Sequence, residues 1–160
     1  MTSAVPPSDA LGCPVPIARF VARTDLAVVA LQHVVAYPAG CAFTVHLGIR
    51  RGSLDQATWD GIGESHAGGF RGASDDSLQF RVGRGSLTEI GGGASYDDRR
   101  YRGDRQLWLS PLPAGPFEFS VEWRKVGLAR TATTIDGQAI VEAAARAEPY
   151  WPTPPRPPRP

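Results

Sequence analysis

The chain has no apolar run long enough to cross a bilayer. Its longest, Leu26 to Tyr37, is interrupted by Gln32 and His33 and falls far short of the roughly 20 residues a membrane helix needs. The first sixteen residues carry four prolines and no charged start followed by an apolar core, so they lack the form of a secretory signal and the expected location is cytoplasmic. Cysteine is scarce. Cys13 and Cys41 are too few for a disulfide framework, and in a reducing compartment they are expected to stay as thiols. An excess of either charge is also missing: 17 basic side chains stand against 16 acidic ones, for a net charge of +1. That balance gives no strong nucleic-acid signal across the whole chain.

Catalytic and cofactor motifs are absent too. No Gly-x-Ser-x-Gly elbow occurs, and Gly61-Ile62-Gly63 and Gly91-Gly92-Gly93 lack the Lys-Ser/Thr that completes a phosphate loop. Asp75-Asp76 and Asp97-Asp98 lack the spacing of a calcium loop, and the three histidines do not cluster. No cofactor and no metal are expected, and the chain does not read as an enzyme.

What is present is β-patterned. At 160 residues and 42% hydrophobic the chain fits one domain with a self-sufficient core. Residues 1–16 read as a proline-rich arm, 17–148 as the domain, and 149–160, with seven prolines, as an extended tail. From Ala27 to Tyr37 and from Cys41 to Ile49 the odd positions form an apolar set. A three-residue loop, Pro38-Ala39-Gly40, would pair Val35 with Phe43 and His33 with Val45 on one face, leaving His46 on the other. Residues 51–77 read as a long surface excursion. A second hairpin is expected from Leu78–Val82 and Ser86–Ile90, and then another loop over 91–105. Gln106–Leu109, Phe117–Trp123 and Arg130–Ile135 supply further strands, and Asp136 caps a short helix carrying Ile140, Ala144 and Ala147 on one stripe. The expected fold is mainly β: an antiparallel β-sandwich of about seven strands with one C-terminal helix.

The block from Gln106 onward, with Leu107-Trp108-Leu109-Ser110-Pro111-Leu112-Pro113, Gly115-Pro116, Glu122-Trp123, Ile135-Asp136 and Ala143 to Ala147, resembles a family of bacterial β-sandwich-like proteins of unknown function. Phe43 to Arg50 and Gly91-Gly92-Gly93 fit the same resemblance. It covers about half of the chain and implies a shared architecture, with no activity, ligand or catalytic residue attached.

The leading functional expectation is a non-enzymatic binding module that presents its loops to a protein partner or to a second copy of itself. Tyr96, Arg100, Tyr101, Arg102 and His66 are the candidate binding residues, being of types that dominate interfaces and lying in the expected loops. In the tail, Pro154, Arg156, Pro157 and Arg159 combine polyproline geometry with the basic residues that aromatic grooves accept. Two alternatives stand beside this one. One is an enzyme or small-ligand carrier with a loop-built site around Glu64 and His66, and the other is a structural subunit of a larger assembly, suggested by the apolar even positions Leu26, Val28, Ala30, Val34 and Ala36.

Overall fold

The computed structural model describes residues 4–67, 77–154 and 156. It is mainly β, with ten strands in three antiparallel sheets and two helices. The strands are β1 (Ala10–Leu11), β2 (Cys13–Arg23), β3 (Ala27–Tyr37), β4 (Gly40–Arg50), β5 (Gln79–Val82), β6 (Ser86–Tyr96), β7 (Arg100–Ser110), β8 (Phe117–Trp123), β9 (Leu128–Ile135) and β10 (Glu148–Pro149). Helix α1 spans Gln56–Ala67 and α2 Gly137–Ala144. The large sheet has the order β2-β3-β4-β7-β6, a smaller one β5-β8-β9, and β1 pairs with β10.

The expected core alternation along β4 is present: Cys41, Phe43, Val45, Leu47 and Ile49 are all buried. The pairing with β3 is not the expected one. The loop has two residues, Pro38 and Ala39, so Tyr37 faces Gly40 and Val34 faces Phe43. A bulge at Gln32 then shifts the register, and Leu31 faces Val45. One extra residue changes which parity points inward. Ala27, Val29 and Leu31 are buried before the bulge, Val34 and Ala36 after it. This accounts for two of the apolar even positions, since Val34 and Ala36 are core residues. It also corrects His33, which turns to the outer face, half-buried, with Nε2 3.4 Å from Thr44 Oγ1. His33 and His46 therefore share the outer face.

Both sheets feed one core cluster. Phe43 of β4 meets Phe119 of β8 with ring centroids 5.5 Å apart, and Phe80 of β5 lies 5.8 Å from Phe119. Alternation in β8 places Phe117, Phe119, Val121 and Trp123 inside as the sequence implies. Arg19 of β2 donates from Nη1 to the carbonyl of Thr134 in β9, 2.5 Å away, tying the two sheets at one edge. Asp136 caps α2 by accepting from the backbone N–H groups of Gln138 and Ala139, and Ile140, Ala143 and Ala144 are buried beneath it.

Several elements differ from expectation. The segment 51–77 contains α1, started by Asp55, whose Oδ1 accepts from the N–H of Thr58 at 2.7 Å. Trp59 and Ile62, three apart on this helix, are 2% and 0% exposed, which makes it a core element and not a surface excursion. Leu78–Val82 and Ser86–Ile90 do not form a hairpin, because β5 pairs with β8 and β6 with β7 in another sheet. The expected loop 91–105 is the hairpin of β6 and β7, closed by a tight turn at residues 97–99. Strand also extends into both terminal segments: β2 begins at Cys13, and Ala10 pairs with Pro149.

Candidate functional site

Strand parity decides what the large sheet shows to its outer face. With the odd residues of β4 inside, Ala42, Thr44, His46, Gly48 and Arg50 point out. Through the β4–β7 register their neighbours are Trp108, Gln106, Asp104, Arg102 and Arg100, in that order. Val28 of β3 lies opposite Gly48, and Arg23 of β2 lies opposite Val28. One row across the sheet therefore runs Arg23, Val28, Gly48, Arg102, Ser95. A Cβ added to Gly48 would meet nothing within 4 Å, so the middle of this row is an open floor.

Around that floor is a groove of about 1370 Å³. Arg23 borders it on one side, Arg102 on the other, and Arg50, Arg99 and Arg100 close the end of the sheet. Five arginines thus face two aspartates, Asp25 and Asp97. All of the basic residues in the chain except Lys125 are arginine, so the groove presents planar forks throughout. Five of the 17 basic residues in the chain line this end of the sheet.

Asp97 is engaged in the hairpin turn. Its Oδ1 accepts from the N–H groups of Arg99 and Arg100 at 2.7 and 2.9 Å, and these backbone bonds, helped by the nearby arginine charges, hold its carboxyl below the usual range. Trp59 Nε1 donates to the carbonyl of Asp97 at 2.8 Å, so α1 braces the same turn. The fit is close: a Cβ on Gly63 of α1 would overlap the Tyr96 ring. Among the described residues the ion pairs are Arg105–Glu89 at 3.0 Å and Arg124–Glu122 at 2.7 Å, and no groove arginine belongs to either. Arg50 and Arg100 lie directly opposite each other on adjacent strands.

The structure brings Tyr96, Arg100 and Arg102 to this end of the sheet; both arginines are exposed on the groove face, whereas Tyr96, half-exposed and opposite the inward Tyr101, turns its ring to α1. Tyr101 needs correcting. Odd parity turns it inward, where it is 2% exposed and its ring packs edge-on to Trp123 at 6.2 Å. His66 and Glu64 fall on α1, in place of the expected loop, and their side chains lie outside the described residues. Pro154 and Arg156 are exposed, whereas Pro157 and Arg159 also lie outside the described residues. Sequence reasoning missed Arg23, Arg50 and Gly48. Their only sequence signal is a shared parity, with Gly48 and Arg50 on one strand and Arg100 and Arg102 on its neighbour.

Among the described residues no three His, Cys, Asp or Glu side chains are grouped to hold an ion. Cys13 and Cys41 each lie beside Ala36, on opposite sides of β3. Two strand spacings, about 9.6 Å, separate them, beyond the roughly 7 Å limit for a disulfide. The exposed guanidinium groups that line the groove are directional hydrogen-bond donors suited to negative charge. Compared with protein-family models, curated proteins and solved structures, the chain matches none of them.

Proposed function

We propose that the chain is a non-enzymatic binding module, built as a β-sandwich of the five- and three-stranded sheets, whose recognition surface is the arginine groove. The observation that carries this reading is Arg50 opposite Arg100 with no ion-pair partner among the described residues. Like charges placed directly across two strands cost stability, about 0.2–1 kcal/mol. A ligand that supplies the missing negative charge turns that cost into binding energy. The backbones of Arg23 and Arg102 lie three strand spacings apart, about 14 Å. A ligand with more than one negative group would engage more than one of the five groove arginines.

This places recognition on a strand face and not on the loops. Retention on an immobilised sulfated polymer, dextran sulfate, tests it. The double variant Arg50→Ser, Arg100→Ser should elute at markedly lower salt than the native chain while its thermal midpoint is unchanged or raised. Equal retention of the two proteins would sink the proposal.

A further inference from the structure

We infer that the β1–β10 ribbon is a docking face for the proline-arginine tail of a second copy of this chain, a self-association separate from the arginine groove. The ribbon is antiparallel, with Leu11 opposite Glu148, Ala10 opposite Pro149, and the Tyr150 N–H bonded to the Asp9 carbonyl at 2.8 Å. The side-chain period of two puts Asp9, Leu11, Glu148 and Tyr150 on one side of it. That side is open to solvent: Leu11 is 63% exposed, Tyr150 54%, and Asp9 and Glu148 are exposed as well. Trp151, 73% exposed, stands with its ring 5.9 Å from that of Tyr150 and at 89° to it, so the two rings make a corner at the end of the ribbon. Among the described residues neither Asp9 nor Glu148 has an ion-pair partner.

Exposed rings beside carboxylates suit a segment that is both proline-rich and basic, because prolines pack on aromatic faces and arginines bond carboxylates. The chain carries such a segment itself. Residues 152–160 hold six prolines together with Arg156 and Arg159. Polyproline geometry repeats every three residues, which sets these two arginines on one side about 9 Å apart and Pro154, Pro157 and Pro160 in a second row. Asp9 and Glu148 are diagonal neighbours across the ribbon, about 7–8 Å apart, so the two spacings agree within the reach of the side chains. The same copy is a poor source of the occupant. Its tail leaves from Trp151 itself, Arg156 lies about 15 Å further along extended chain, and a return would need a reversal through Pro152, Pro154 and Pro155. Pro154 and Arg156 are indeed exposed in their own copy. Exchange of tails between two copies makes the same contact twice, the closed arrangement of a twofold dimer.

Light scattering over a concentration series tests this. The native chain is expected to approach twice its mass of 17.1 kDa at high concentration and to return to the single mass on dilution or with added salt. Trp151→Ala and, separately, the double variant Arg156→Ser, Arg159→Ser should each weaken the dimer about tenfold with an unchanged thermal midpoint, and Trp151→Phe should retain it. Mixing the two weakened proteins should raise the average mass above that of either alone, because one keeps the tail and the other keeps the rings. A labelled peptide of residues 152–160 should bind the arginine double variant and not Trp151→Ala, as read by fluorescence anisotropy. A native chain that stays at the single mass overturns tail exchange, whether or not the peptide binds. A dimer untouched by Trp151→Ala overturns it too, since another face then holds the pair, and a dimer lost in Trp151→Ala but unchanged by the arginine variant excludes the tail as occupant.

Discussion

Cys41 and Cys13 show how two strand spacings separate two chemical fates. Burial in the apolar core pushes the Cys41 thiol up to about 12, so almost no thiolate forms near neutrality, while Cys13 is only half-buried. Alkylation at pH 8 should therefore label one thiol in the native protein, Cys13, and two after denaturation, counted by intact mass. Backbone strain sits a few residues further along. Ala18 has φ of 47°, in the left-handed region, within a register shift of β2. Glycine takes that conformation without the Cβ penalty of roughly 1 kcal/mol, so Ala18→Gly should raise the urea midpoint. A lower midpoint would show that the strain is absent or that the Ala18 methyl packs usefully.

Edge strand β6 carries a charge into the interior. Glu89 pairs with buried Arg105, and desolvation raises its carboxyl above the ordinary value of 4.5 despite the opposing pull of the guanidinium. A raised native value means that the folded state holds this proton longer than the unfolded one. Its stabilising contribution is complete below about pH 4.5 and is lost as pH rises through the raised native value. Asp55 and Asp97 act in the opposite sense, their lowered values favouring the fold above their ordinary range and less as pH falls. In urea titrations at pH 4 and pH 7, Glu89→Gln should shift the balance toward the higher pH relative to wild type. An unchanged difference between the two pH values would show that Glu89 ionises alike in both states.

Elements were legible where local pattern sufficed. The alternation of Phe117 to Trp123 and the Asp136 cap could be read residue by residue, and both are present. Helix α1 was masked by Gly61 and Gly63, poor helix formers, although Asp55 three residues before Thr58 and the Trp59–Ile62 spacing marked it. The bulge at Gln32 had no local signature, because its cause is the pairing itself: Val34 and Ala36 gain the core only if one residue is skipped. Of the groove, Tyr96, Arg100 and Arg102 were visible as a cluster. Arg23 and Arg50 join them only through pairings between strands distant in the chain, which composition cannot show.

At the scale of the whole molecule, the two sheets depend on one shared core. Phe119 is fully buried between Phe43 and Phe80, so it belongs to both sheets at once. Phe119→Ala should cost about 3–5 kcal/mol, with far- and near-ultraviolet dichroism lost together in one denaturant transition. Two separated transitions would mean that the sheets fold independently. Whole-chain neutrality likewise hid the groove: a net charge of +1 says how much charge there is, and only the fold says where it lies.

The pairing of Ala10 with Pro149 and Leu11 with Glu148, extended by the bond from Tyr150 N–H to the Asp9 carbonyl at 2.8 Å, brings the two ends of the fold side by side. In effect the backbone traces a ring. A short covalent bridge from residue 150 to residue 9 would therefore span almost no distance, and the ring could be reopened at the Pro38-Ala39 turn without cutting a strand. Such a circular permutant would have a different first residue and order of synthesis, yet its β-ladders and its floor of Val28 and Gly48 between arginines would be those of the original chain.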